Sequence, residues 1–227
     1  MTEILWASLP DLLAGLLVTV QLTVVSVGAG IPAGLLLALL TASRRRWVAW
    51  PVIVVVEILR GAPVIVLLQL VYYGLPAQGV TLAAMPSVWI AIGLSTAAYS
   101  SEIIRAGLQS VDPGQVEAAH ALALGRRDTL RHIVLPQAVR VSVPPLMGLS
   151  IQMFQATSLA FAVSVPELIS RAYNQGSMTF LYLEYLSLAG VLYAVIALPA
   201  IRVVARLERR MGLSPLTSFD KKGPVNA

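Results

Sequence analysis

The run Leu12–Leu40, LLAGLLVTVQLTVVSVGAGIPAGLLLALL, contains no Asp, Glu, Lys, Arg or His. A helix needs about 20 apolar residues to cross the hydrocarbon layer of a bilayer. The run therefore reads as a transmembrane helix, and the chain as a membrane protein. At about 1.5 Å per residue a straight helix of this length exceeds what the apolar layer requires, so it tilts, bends or projects. Gly28, Gly30 and Gly34 leave room for close approach by a neighbouring backbone, and Pro32 predicts a bend.

Outward from this segment the pattern repeats. Leu82–Ser101 and Val141–Pro166 are also free of charge, Trp47–Tyr73 is interrupted by Glu57 and Arg60, and Tyr185–Ile201 is short but clean. The expectation is an all-α membrane protein with five transmembrane helices, at about residues 12–40, 47–73, 82–106, 137–165 and 185–206. Residues 1–10 read as a short outer lead-in, 107–136 as a polar loop and 211–227 as a tail. The composition agrees, with 57 % hydrophobic and only 12 % charged residues, against about a quarter charged in soluble domains. The first segment lacks a basic stretch ahead of it and is longer than a signal core, so it reads as a retained helix. With no cysteine, disulfides and thiolate metal sites are excluded.

The net charge is +5, and its placement carries the information. Arg44, Arg45 and Arg46 follow the first span. Arg105, Arg126, Arg127, Arg131 and Arg140 surround the loop after the third. Arg202, Arg206, Arg209, Arg210, Lys221 and Lys222 close the chain, leaving only Arg60 and Arg171 elsewhere. Basic residues concentrate on the cytoplasmic side of membrane proteins, so the N-terminus is expected outside and the C-terminus inside. Topology thus accounts for the basic balance. Nucleic-acid binding would need a soluble basic surface interleaved with aromatic residues, and none is visible.

Span two carries Glu57-Ile-Leu-Arg60-Gly61-Ala-Pro63. Proline and the residue before it disfavour helix, so the span should break there. Glu57 and Arg60 lie three apart on one helical face and can pair. Charges at membrane depth face a partner or a wet cavity, which leaves two readings: a self-paired strut shaping the kink, or part of a substrate path. Glu102 and Arg105 repeat the spacing near the membrane boundary and read as a snorkelling surface pair. Leu75–Pro86 reads as an outer loop, and Pro166–Leu183 as an outer segment with some helical character.

Between spans three and four lies a polar, basic island, EAAHALALGRRDTLRHIVLP from Glu117 to Pro136. Asp112-Pro113-Gly114-Gln115 reads as a helix start, with Asp at the N-cap, proline in the first turn and Gln able to reach back. The helix should run from Pro113 to about Leu124 and end at Gly125. Arg126-Arg127-Asp128 should open a second helix, carrying Leu130, Ile133 and Val134 on an apolar stripe and stopping before Pro136. Ala118 and Ala119 keep the first helix narrow, and a small-faced helix can lie in a groove of another protein.

Glu117-Ala118-Ala119 followed by Ile133-x-Leu135-Pro136 resembles the EAA loop of bacterial ABC importer permeases. Arg60-Gly61-Ala62-Pro63, Tyr99-Ser-Ser-Glu102-Ile-Ile-Arg105-Ala-Gly107, Leu135-Pro136-Gln137-Ala138, Thr157-Ser158-Leu159 and Leu207-Glu208-Arg209-Arg210 are similar to its polar amino acid branch (His/Glu/Gln/Arg/opine). The resemblance covers roughly residues 10–210 and combines several motifs in order, which is more specific than any one alone. It implies a multi-pass subunit of the bacterial plasma (inner) membrane that imports a polar amino acid. The implied partners are two ABC ATPase subunits, a second permease subunit (a copy or a paralogue), an extracytoplasmic amino acid-binding protein and membrane lipid. The residues implied for ATPase coupling are Gln115, Glu117, Ala118, Ala119, Leu122, Leu124, Gly125, Ile133, Leu135 and Pro136. Three positions, in two places, depart from the pattern. Ala123 stands where the family has glycine, and Gln155-Ala156 replaces a Lys-Asp pair, removing an ion pair at mid-membrane.

For the substrate path the candidates are Glu57, Arg60, Gln152, Gln155, Thr157 and Ser158. The first two are ionisable at depth. Of the rest, Gln152, Gln155 and Ser158 lie near one helical face, where interhelical hydrogen bonding is an equal reading. The chain has no phosphate-cradling Walker A run, its only lysines being Lys221 and Lys222. ATP and magnesium are therefore expected on a partner chain, with no cofactor, metal or catalytic residue here. His120 and His132 read as solvated or interface residues. The rival reading is an ion-coupled carrier or channel that works alone. An intramembrane enzyme is a third, without a visible nucleophile–base pair.

Overall fold

The computed structural model describes residues 2–43 and 45–211, and every regular element among them is helical. The tail expectation for 212–227 lies outside the described residues. Helix α1 (Thr2–Thr41) holds both Pro10 and Pro32. Nothing in Thr2–Leu9 interrupts a helix, so the expected separate lead-in is instead the first turns of α1.

Span two breaks where its sequence requires. α2 (Arg46–Gly61) and α3 (Val64–Gln69) flank Ala62-Pro63 and are bent by 105° with respect to each other. A widened turn (Leu70–Gly74) and a tight one (Leu75–Gln78) continue α3. Gly79 then ends it at φ +80, a conformation that glycine adopts without steric cost. The expected outer loop is shorter than 75–86, because α4 (Ala84–Gln109) already includes Pro86. In the first turn a proline loses no helical hydrogen bond.

α5 (Pro113–Ala121) and α6 (Arg126–Thr129) follow. The second loop helix does not stop before Pro136. A π turn at Leu130–Val134 leads directly into α7 (Leu135–Ala156), and a tighter turn at Thr157–Val163 completes a helical path from Arg126 to Val163. A π turn inserts slack into the hydrogen-bond ladder, so a helix can continue through the position where proline has no N–H to give. α8 (Leu168–Thr179) and α9 (Tyr182–Arg210) close the described fold.

Three of these paths, Ala7–Thr41, Arg126–Val163 and Tyr182–Arg210, are long and apolar enough to cross a membrane, and the bent pair Arg46–Gly61 and Val64–Gln78 makes a fourth if it is taken as one span. α4 spans 26 residues, but Ser87, Ser95, Thr96, Ser100 and Ser101, all buried, dilute its apolar character. Most of these hydroxyls are satisfied internally, as where Thr96 Oγ1 donates to the Ile92 carbonyl at 2.7 Å.

The most extensive contact is α1 on α4, with α4 in turn on α7. A Cβ on Gly30 would lie 2.5 Å from Thr96 Cβ, and one on Gly34 would lie 2.7 Å from the Ala97 carbonyl oxygen. These glycines, four apart, let two backbones touch, as small residues do between membrane helices. Gly28 meets nothing within 4 Å. One apolar core joins Leu22, Leu68, Val88, Ile92, Leu149 and Met153, and a second joins Leu12, Leu168, Tyr185 and Ala189.

Candidate functional site

The charged loop is built from its caps. Asp112 Oδ1 accepts from Gly114 N at 2.7 Å, and Pro113 takes the first helical position. Gln115 reaches forward: its Oε1 accepts from Gln137 Nε2 of α7, which also donates to the Ile133 carbonyl at 3.0 Å. The C-terminus of α5 closes in a Schellman turn, with Ala123 N donating to His120 O at 2.9 Å and Leu124 N to Ala119 O at 3.0 Å. The left-handed residue of that turn is Ala123, at φ +57. Gly125 is extended, at φ −66 and ψ 155, and caps α6. The turn therefore stays where the family has glycine, although the residue there is alanine, and Gly125 does not end α5. Its carbonyl instead accepts from Thr129 N (2.9 Å) and Thr129 Oγ1 (3.1 Å).

Of the residues expected to couple to an ATPase, Gln115, Glu117, Ala118, Leu122, Leu124, Gly125, Leu135 and Pro136 are exposed and Ile133 is half-buried. Ala119 is buried, the only buried residue of α5, and so is a packing point and not part of the presented face. The presented face is a slim rod with one carboxylate, Glu117, and one large apolar side chain, Leu122, 76 % exposed. Beside it, Val116, His120, Arg126, Thr129, Leu130 and Val134 line a hollow between α5 and the start of the long path. Held by its caps, Ala119 and one amide pair, α5 is weakly anchored through its own side chains.

The elements flanking it are locked together. A Cβ on Gly107 of α4 would lie 2.0 Å from Ser142 Oγ and 2.9 Å from the Ala138 carbonyl of α7. The loop therefore hangs from two helices in backbone contact.

The two acid–base pairs of the sequence form one network. Arg60 Nη1 lies 3.2 Å from Glu57 Oε1 and 3.7 Å from Glu102 Oε2. Glu102 also accepts from Arg105 Nε at 3.0 Å. Tyr99 Oη donates to the Arg60 carbonyl at 2.9 Å, with the Arg60 guanidinium over its ring. The break in span two is thus tied to α4 by four charges and a tyrosine, and Glu102–Arg105 is not an isolated surface pair. Neither sequence pair named the other, because residues three apart predict only local partners.

On α7, Gln152 and Gln155 are exposed. Thr157 is buried and spends its hydroxyl on the Phe154 carbonyl at 2.6 Å, so it is closed off from any path along this chain's surface. Ser158 donates to Gln155 O at 2.8 Å. The interhelical hydrogen bond considered for this set is therefore replaced, for Ser158, by a bond within its own helix.

The sequence reading missed Glu167, which is fully buried. It caps α8 by accepting from Ile169 N (2.9 Å) and Ser170 N (2.8 Å), and it receives Tyr193 Oη of α9 at 3.1 Å. Arg171 of α8 pairs with Asp11 of α1, which also accepts from Gln175 at 3.1 Å. An acid directly after Pro166 and immediately ahead of a helical stretch was the available signal.

Residues 30–213 match the family model described as a binding-protein-dependent transport system inner membrane component. The chain is 38 % identical over 212 residues to the glutamate/aspartate import permease protein GltK of Escherichia coli O6:H1, covering 89 % of this chain and 94 % of that one. It is 37 % identical over 207 residues to the L-cystine transport system permease protein TcyB of Bacillus subtilis (89 % and 87 %). Among solved structures, one titled "Crystal structure of an amino acid ABC transporter with histidines" superposes with a TM-score of 0.87 at 31 % identity, covering 91 % of this chain and 96 % of that one. The apolar paths, the EAA loop and this match over most of the chain agree: the protein belongs to the inner membrane components of binding-protein-dependent transport systems.

Proposed function

We propose that this chain is the permease subunit of an ATP-driven importer of a polar amino acid, crossing the membrane five times with its N-terminus outside and its C-terminus inside. The five spans are α1, the broken α2–α3 pair, α4, the path from Arg126 to Val163, and α9. The basic clusters at Arg45–Arg46, around α5–α6 and at Arg209–Arg210 then share the inner face. Two ATPase subunits carrying ATP and magnesium dock on α5, a second permease subunit completes the path, and a binding protein delivers substrate from outside. The substrate class rests on relatives whose names record amino acid import.

The observation that carries this reading is α5 itself. A capped helix that buries one alanine of its own, and offers Glu117, Ala118 and Leu122 outward, fits a groove in another protein better than any role within this fold. Nucleotide-driven closure of the ATPases would move the docked rods and swing the spans between outward- and inward-facing states.

Gln152 and Gln155, exposed on α7, would line the path between permease subunits, where amides can serve both ends of a zwitterion. The network of Glu57, Arg60, Glu102 and Arg105 would fix the geometry of the broken span. The test is purification of the assembled complex. An ATPase should travel with the wild-type chain, and Glu117→Arg should detach or uncouple it. If Glu117→Arg retains both ATPase and transport, docking through α5 is wrong; uptake by the chain alone without ATP would favour the solo carrier.

A further inference from the structure

A second charged feature, outside the coupling loop and the span-two network, lies at the start of α2. Arg45 and Arg46 are exposed, and no acid among the described residues pairs with either. The Arg45 guanidinium lies 5.9 Å from the Trp47 ring centroid, within cation–π range, which holds it beside the indole. Trp47 is 72 % exposed and Trp50 is 66 % exposed, one turn apart on the same face. That face continues through Val54 and Ile58, both exposed, while Ala49 and Val56 on the opposite face are buried. α2 therefore presents an apolar stripe headed by two indoles and two uncompensated guanidinium groups.

We propose that the N-terminal end of α2 is a binding seat for an anionic phospholipid of the inner leaflet. Arg45 and Arg46 take the headgroup phosphate, Trp47 and Trp50 lie at the glycerol level, and the acyl chains run along Val54 and Ile58. Guanidinium groups match phosphate oxygens in paired, charge-assisted hydrogen bonds. Indoles favour the membrane–water interface because one edge is polar and the body apolar. The order along the helix, cations, then indoles, then aliphatic side chains, is that of a phospholipid read from headgroup to tail. A docked protein would have to supply acids for both arginines and an apolar face for the whole stripe. A lipid supplies all of these at once.

The test uses the assembled complex in phosphatidylcholine nanodiscs containing a fixed fraction of either brominated phosphatidylglycerol or brominated phosphatidylcholine. Bromine quenches indole fluorescence on contact. Subtracting the emission of a Trp47→Phe/Trp50→Phe variant isolates these two residues. Brominated phosphatidylglycerol should quench them several-fold more efficiently than brominated phosphatidylcholine. Each basic residue near an anionic surface contributes roughly fivefold in affinity. The excess should therefore fall about that much for Arg45→Gln and further for Arg45→Gln/Arg46→Gln, and it should survive the matched charge loss of Arg209→Gln/Arg210→Gln. Equal quenching by both lipids overturns the proposal, as does an excess that persists without Arg45 and Arg46. Absence of quenching by either lipid also overturns it and places a protein partner over this end of α2. The ATPase content of the same preparation reports on the functional reading independently.

Discussion

Ala123 is the sharpest place to perturb the coupling loop. It sits at φ +57 in the Schellman turn that ends α5, where a Cβ crowds the following carbonyl and costs about 1–2 kcal/mol. Glycine removes that cost but loses more freedom on ordering, roughly 0.4–1 kcal/mol. Ala123→Gly should therefore stabilise the turn by about 0.5–1 kcal/mol, a two- to fivefold fall in local opening. Ala123→Val should act oppositely, because a β-branched side chain is a poorer occupant of that region than alanine. Hydrogen exchange on the assembled complex reads this at two amides: Ala123, bonded to His120 O, and Leu124, bonded to Ala119 O. The glycine variant should exchange there two- to fivefold more slowly and the valine variant faster, with α9 amides unchanged as a reference. If Ala123→Gly exchanges as fast as wild type or faster, or if Ala123→Val is silent, the left-handed turn at 123 is not the element that ends α5.

The α1–α4 seam gives a paired comparison. Gly34→Ala should lower the thermal stability of the purified complex by the equivalent of about 1–3 kcal/mol, since its Cβ would overlap the Ala97 carbonyl, whereas Gly28→Ala should be neutral or slightly stabilising. Glu167→Gln puts an amide NH2 among donors that now share two carboxylate oxygens, and should cost about 1–3 kcal/mol by thermal unfolding. In the ion network, Glu57→Gln should change stability by less than about 1 kcal/mol because Glu57 is exposed and singly paired. Glu102→Gln should cost more, since it serves both Arg60 and Arg105; equal effects would show that the network does not bind α2 to α4.

The parts legible in the sequence were those governed by local rules. Uncharged runs located α1, α4, α7 and α9, Gly61-Ala-Pro63 located the break in span two, and Asp112-Pro113 located the start of α5. What stayed hidden depended on partners far along the chain or on a rule with two outcomes. Pro136 reads as a helix stop, yet a π turn just before it carried the helix through. Gly125 reads as a helix end, yet the Schellman bonds chose Ala123 two residues earlier, because the hydrogen-bond geometry and not the residue type fixes which position turns left-handed. Thr157 reads as a polar residue free to line a path, but a carbonyl of its own helix satisfied it. Glu102 and Arg60 meet across 42 positions, a pairing no local spacing encodes.

These contacts also determine how a load at α5 would travel. The rod itself is loosely held, by its caps, Ala119 and the Gln115–Gln137 amide pair. Directly above it, Gly107 brings the α4 backbone against Ala138 of α7, and one helix further on Gly30 and Gly34 bring α1 against α4. At both seams a single added Cβ would overlap the facing helix, so the backbones meet in close packing. Such packing favours shared motion of α7, α4 and α1 over slip between them. The 105° break between α2 and α3 is tied to α4 by the Arg60–Glu102 pair and by apolar packing of Leu59, Ala62, Val64 and Ile65. The lightly held rod and the closely packed three-helix block are suited to different tasks: the rod to seating in a groove, the block to carrying a displacement onward.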